Sequence, residues 1–320
     1  MTTPTVLAAR IRAIEHRVAA TYGLRITERT FALRDRGPTV RTVEIPGSGP
    51  PILWVNGLAA PALAFAPLLA RFPDRHHVLI DLPGHHLAPA YDWSDRPVRE
   101  VAVAVLTGVL DEFGLTGAQL AGCSLGGLFA LWTALDAPGR CTHLVLLGAP
   151  ATALPGTRAT PAMASTAAAG RGRVDEWSMR LPSPRFVARA ALATALGAET
   201  ARGMSDDLLD LHRLPLRLPG KAASYRALLR RLIQGRVPRP DAVLTDVELA
   251  RIDVPALFVW GARDVFCPPD RARRSVAMIP GAHLAVVPGG HNPWLDDPPG
   301  CAELITESDL PSTDRKQHHA

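Results

Sequence analysis

LAGCSLGGLFALW, residues Leu120 to Trp132, sets a serine between glycines, with an apolar run on either side. Glycine is costly inside a strand or a helix, so three of them within six residues answer to a backbone requirement. Gly122-Cys123-Ser124-Leu125-Gly126 reads as G-x-S-x-G at a point where a strand ends and a helix begins, the context that motif needs. A sharp strand-to-helix turn strains the serine backbone, and a side chain at Gly122 or Gly126 would collide with the neighbouring elements. Ser124 then projects above the sheet with a helix N-terminus behind it. A serine that merely caps a helix in a glycine-rich turn shows the same local pattern, so the surroundings must decide.

Short apolar runs recur at 51–55 (PILWV), 77–81 (HVLID), 118–122 (AQLAG), 143–147 (HLVLL), 255–260 (PALFVW) and 283–287 (HLAVV). They lack alternation, as strands covered on both faces do. Helical stretches fall at 61–70, 98–113, 125–137 and 270–278, which makes successive βα units and a mostly parallel, doubly wound sheet. Upstream, Leu7, Ile11, Ile14 and Val18 predict an amphipathic helix at 4–21, within an N-terminal unit at 1–24. ITERTFAL and VRTVEIPG around RDRGPT predict a β-hairpin. The alternation breaks after the sixth strand, because no strand is predicted between Leu147 and Pro255. SPRFVARAALATALG, SDDLLDLHRL and KAASYRALLRRLIQG read as helices, the first two with Ser183 and Ser205 as N-caps and the first with Pro184 at N1. Segment 150–245 is expected to be a helical insertion above the sheet. Residues 25–149 and 246–307 form the α/β core, and 308–320 a frayed polar tail.

At 320 residues and 47% hydrophobic content the chain fills a sizeable core. A net charge of +5 is too weak a balance to argue for nucleic acid. Cys123, Cys141, Cys267 and Cys301 form no CxxC pair or dense framework, which suits a reducing compartment. There is no basic segment followed by an apolar export core, and no apolar stretch long enough to span a bilayer. The expectation is a cytoplasmic protein.

A serine is a poor nucleophile alone. It needs a base, and the base needs an orienting acid. In this architecture the partners come from the carboxyl ends of strands, where side chains converge at one edge of the sheet. PALFVWGARDVFCPP places Asp264 just past one late strand, and HLAVVPGGHNPW places His291 just past the last. Taken singly, Asp264 could cap a helix and His291 could be an ordinary loop histidine. In the order Ser, Asp, His they match a nucleophile-elbow hydrolase. The other histidines fit less well: His143 and His283 open strands at the opposite edge, and His16 and His212 lie on helices.

From about Thr30 to Glu307 the chain resembles serine hydrolases of the α/β-hydrolase family with a helical cap. GCSLGG is similar to the elbow, WGARDVFCPP to the acid turn, PGGHNPW to the histidine loop, WVNGLAA to the oxyanion stretch and LIDLPGHH to the loop after the next strand. The resemblance implies an oxyanion hole from the N–H groups of Leu58 and Leu125. In the oxyanion stretch Asn56-Gly57 replaces the usual His-Gly, with Asn56 able to organise the loop by hydrogen bonding. His86 and Ala88 stand where Gly and Ser are common, and His86 is expected at the surface. Some members carry the acid after an earlier strand, but GAPATALPGTRAT after Leu147 has no carboxylate, which leaves Asp264.

Residues 150–240 carry fifteen basic and six acidic side chains, a balance of +9 that leaves the rest of the chain at −4. A basic cap fits the steering of anionic substrates and equally a solvated helical face. Trp177, Met179, Phe186 and Met204 fit an apolar pocket under the cap and fit core positions as well. The resemblance implies cleavage of a carboxylic ester or thioester in a small acyl substrate. C–C bond hydrolases, perhydrolases and lyases share the scaffold. A ligand-binding protein without turnover has no need of all of Ser124, Asp264 and His291. No metal or organic cofactor is implied, since no His/Cys/carboxylate cluster has ligand spacing.

Overall fold

The computed structural model describes residues 3–34 and 37–309. Its elements begin with α1 (Pro4–Thr21), β1 (Thr27–Ala32), β2 (Thr39–Ile45), β3 (Gly49–Val55), α2 (Ala66–Leu69), β4 (Arg75–Asp81), α3 (Val98–Glu112), β5 (Ala118–Cys123), α4 (Leu125–Asp136) and β6 (Cys141–Leu147). Then come α5 (Pro161–Ala167), α6 (Arg171–Met179), α7 (Arg185–Leu196), α8 (Ala198–Gly203), α9 (Asp206–Arg213), α10 (Lys221–Leu232), β7 (Ile233–Gln234) and β8 (Val237–Pro238). The chain closes with α11 (Asp246–Ala250), β9 (Ala256–Gly261), α12 (Pro269–Ala277), β10 (Ala282–Val287), α13 (Pro293–Asp296) and α14 (Pro298–Ser308).

The apolar runs pair into one eight-stranded sheet of order β1-β2-β4-β3-β5-β6-β9-β10. β2 lies antiparallel to both β1 and β4, and every later pairing is parallel. β5 and β9 are buried along their whole length, as unalternating apolar strands in a covered sheet should be. Along β3 the faces separate: Leu53 and Val55 join the core with α3 and α4, while Ile52 and Trp54 join the core with α1 and α2. β10 departs from the expectation of two covered faces. It is the sheet edge, and only Val287 is buried. No described helix is long and apolar enough to cross a membrane.

The segment between β6 and α11 is helical and contributes no strand to the main sheet, but it holds the unpredicted ribbon β7–β8. Gly235, at φ +59, turns that ribbon. The caps split. Ser205 accepts from Leu208 N–H as expected, whereas Ser183 does not cap α7, because Pro184 holds the cap position with extended backbone. Trp177 and Phe186 are exposed, Met179 is half-buried and Met204 is core. Ser308 and Asp309 depart from the expected frayed tail, since α14 runs through the buried Ser308 and Asp309 receives hydrogen bonds from Arg75 and Gln119. The rest of the expected tail, residues 310–320, lies outside the described residues.

His86 overturns its surface reading. It is buried at φ +41, with Nδ1 3.2 Å from Asp81 Oδ2. It belongs to an ion cluster centred on Arg41, whose guanidinium donates to both oxygens of Glu15 (3.0 and 2.7 Å), to Asp81 (2.6 Å) and to Glu28 (2.8 Å). Three carboxylates, from α1, β1 and β4, thus meet at the buried guanidinium of Arg41 on β2. Burial pushes the Asp81 carboxyl up, but His86 and Arg41 prevail and hold it well below the usual carboxylate range. A depressed carboxyl stabilises the fold above its unfolded pKa of about 4, and that contribution is lost as pH falls through the acid range. Removing one member leaves buried charges without a partner. Arg41→Met should therefore lower stability by about 3–5 kcal/mol in urea denaturation, and a loss below about 1 kcal/mol would show that the cluster does not hold α1 and the hairpin to the sheet.

Candidate active site

Ser124 caps α4 with φ +50 and ψ −113, a strained conformation that a serine rarely adopts. The flanking glycines make that turn possible. A Cβ on Gly126 would stand 1.9 Å from Val55 O, and one on Gly122 would stand 2.5 Å from Gly126 O. The start of α4 is thereby pressed against the end of β3, and the loop after β3 comes beside the serine: a Cβ on Gly57 would lie 3.3 Å from Ser124 Cβ. Asn56 holds this loop by donating from Nδ2 to Ala60 O. Leu58 N–H donates to no backbone carbonyl, and Leu125, first in α4, has no intrahelical acceptor for its N–H.

Asp264 is buried in the turn after β9, and its carboxylate accepts from three donors. His291 Nδ1 lies 2.8 Å and Ala149 N 2.9 Å from Oδ2, with Phe266 N 2.9 Å from Oδ1. Burial pushes its pKa up, but His291 and the two backbone N–H groups outweigh this and keep it lowered. A carboxylate only accepts, so Nδ1 of His291 carries the proton and Nε2 bears the lone pair. Nε2 is buried and makes no hydrogen bond, to Ser124 or to any other side chain. Catalytic hydrogen bonds of this kind commonly close only when substrate is bound.

Two contacts bring the histidine loop to the elbow. Cys123 Sγ lies 3.4 Å from Asn292 Oδ1, joining the residues next to Ser124 and His291. The Phe266 ring packs 4.4 Å, centroid to centroid, from the His291 ring and also lines the pocket at Ser124.

A model of the alpha/beta hydrolase family matches residues 52–304. The chain belongs to that family. It is 28% identical over 267 residues to a pimeloyl-[acyl-carrier protein] methyl ester esterase of Stenotrophomonas maltophilia, covering 79% of this chain and 90% of that one. An uncharacterized protein of Mycobacterium tuberculosis is 26% identical over 281 residues, 83% of this chain and 76% of its own. Among solved structures, carboxylesterase CesB of Bacillus subtilis superposes with a TM-score of 0.74 at 18% identity, covering 94% and 97% of the two chains. A meta-cleavage product hydrolase of Pseudomonas fluorescens gives 0.70 at 18% identity, covering 88% and 96%. The chain is thus a hydrolase enzyme with esterase relatives.

Several groups at the hydrolase's site were not legible in its sequence. Asp296 Oδ2 accepts from Gly290 N–H and from Thr200 Oγ1, each at 2.8 Å, and so ties the histidine loop to α8. Leu196 O accepts the His291 N–H at 3.2 Å. The helical insertion therefore helps to hold the histidine. The pocket at Ser124 has about 40 Å³ of free space and is lined by Leu58, Leu125, Ala151, Thr152, Thr157, Ala159, Met163, Leu229, Leu232, Ile233, Pro238 and Phe266. None of them is charged, and Trp177, Met179, Phe186 and Met204 are not among them. Away from this site, Glu15, Asp81 and His86 bring ligand atoms within 4.8 Å of one another. Arg41 already donates to both carboxylates and supplies the positive charge that a metal ion would bring.

Asp264→Asn keeps the size of the side chain but removes the charge that fixes the His291 tautomer. The variant should fold, keep KM close to wild type and lose kcat by about four orders of magnitude on an ester the parent cleaves. Near-wild-type kcat in the folded variant would remove Asp264 from the reaction.

Proposed function

We propose that this chain is a serine hydrolase that cleaves a carboxylic ester or thioester through an acyl-enzyme on Ser124, His291 and Asp264. The observation that carries the reading is the 2.8 Å His291–Asp264 bond in a loop joined to the Ser124 elbow, with Nε2 left unbonded. Nε2 takes the proton of Ser124 Oγ as the hydroxyl attacks the carbonyl carbon. The N–H groups of Leu58 and Leu125 hold the oxyanion, each worth roughly 3–4 kcal/mol when removed from such a site. His291 then protonates the leaving alcohol or thiol. Water enters and gives its proton to Nε2 as its oxygen bonds the acyl carbon; His291 then returns that proton to Ser124 Oγ as the C–Oγ bond breaks and the acid leaves. Asp264 stays ionised and stabilises the imidazolium throughout.

Segment 150–245 acts as the cap in this reading, because Met163, Leu229, Leu232, Ile233 and Pro238 close the pocket over Ser124. The small free volume suits entry by movement of these side chains or of the cap. A pocket lined by neutral groups favours an apolar acyl part. The arginines of the cap stand outside this lining, so they act on approach and not on the bound acyl group. The esterase relatives support ester cleavage. The C–C bond reading is weaker here, because the acidic product of ring cleavage would meet no cation among the lining residues.

A fluorophosphonate probe should label the protein once, on the peptide that contains Ser124, and Ser124→Ala should abolish the label. Labelling that persists in Ser124→Ala would overturn the nucleophile.

A further inference from the structure

Five of the twelve exposed large hydrophobic residues among the described ones fall within fourteen residues of the insertion: Val174, Trp177, Leu181, Phe186 and Val187. Trp177 is 60% and Phe186 74% exposed, whereas the other five tryptophans of the chain are fully buried. Isolated exposed apolar residues are ordinary, but such a concentration marks a surface that meets something.

The surface is also cationic. On α6 and the turn that ends it, Arg173, Val174, Trp177, Arg180 and Leu181 follow one another at i, i+1, i+4, i+7 and i+8, which is one helical face. The two acids of α6 are half-buried and engaged elsewhere. Asp175 accepts from Ser165 Oγ at 2.6 Å, and Glu176 pairs with Arg180 at 2.6 Å and Arg226 at 3.9 Å. Among the described residues, Arg171 and Arg173 form no ion pair or side-chain hydrogen bond. Residues 150–240 carry +9 against −4 for the rest of the chain, so an anionic surface would turn this side of the molecule towards itself.

We propose that the exposed face of α6, with the exposed first turn of α7 that follows it in the chain, docks on a bilayer rich in anionic phospholipid. Trp177 and Phe186 enter the headgroup layer, where amphipathic aromatic rings settle, and Arg171 and Arg173 meet phosphates. A second copy of the chain fits less well, because a two-fold interface sets the same patch against itself and would bring the unpaired arginines together. Docking places the cap, and with it the closed pocket at Ser124, next to the lipid. Vesicle binding is read without turnover, so it stands or falls apart from the hydrolytic reading.

The full-length protein is mixed with vesicles of equimolar phosphatidylglycerol and phosphatidylcholine, and separately with phosphatidylcholine alone. It should sediment with the anionic vesicles only, with a blue shift of tryptophan emission from Trp177, and salt should weaken the binding. The double variant Trp177→Ser/Phe186→Ser should bind at least about tenfold more weakly, while hydrolysing a water-soluble ester as the parent does. Three results would overturn the proposal: no binding to either vesicle, equal binding by the variant, or a concentration-dependent dimer of the parent that the variant abolishes. Capture of an acidic protein without any vesicle binding would overturn it equally.

Discussion

The contact on which the rest of the site depends is between two stretches of backbone. The first turn of α4 lies so close to the end of β3 that no Cβ fits at Gly126, and the strand before it is equally tight at Gly122. This closeness forces Ser124 to φ +50 at the head of a helix. It also sets the Asn56–Ala60 loop against the serine. Among the described residues, three of the four non-glycine residues at positive φ, Ala59, Ser124 and Ala151, belong to loops around this one spot. Strain gathered in this way persists only where the surrounding packing over-determines it.

The second half of the site is held by electrostatics and by the insertion. Asp264 anchors His291 and is itself anchored by the backbone of Ala149 after β6, so the loops of β6, β9 and β10 meet at one carboxylate. Leu196 O and Asp296 fasten the histidine loop to α7 and α8. A segment that chain order would assign to substrate selection alone thus also holds His291 in place. At the hairpin the Arg41 cluster does a related job, adding ion pairs from α1, β1 and β4 to the apolar packing of α1 on the sheet.

How much of this was legible in the sequence follows from the range of the interactions. The elbow is local: Gly122, Ser124 and Gly126 lie within one turn of chain, and their pattern states their geometry. Asp264 and His291 were readable because a parallel sheet brings the ends of its strands to one edge, so position after a strand stands for position in space. His86 failed that kind of reasoning. A loop histidine is usually solvated, and here burial comes from α1 and Arg41, which no local pattern around residue 86 announces. Asp296, Leu196 and the Cys123–Asn292 contact were hidden for the same reason, since each acts across a long stretch of chain. The edge position of β10 was not readable either, because HLAVV is as apolar as the covered strands.

The central claim is that Ser124 and His291 act as one unit on one proton. The direct measurement is kcat/KM for Ser124→Ala, His291→Ala and the double variant on a single activated ester, each folded as judged by its denaturation curve. If the two residues form one catalytic unit, the double variant falls no further than the more damaged single one. If the two losses multiply, each residue acts independently, and the account of the site is wrong.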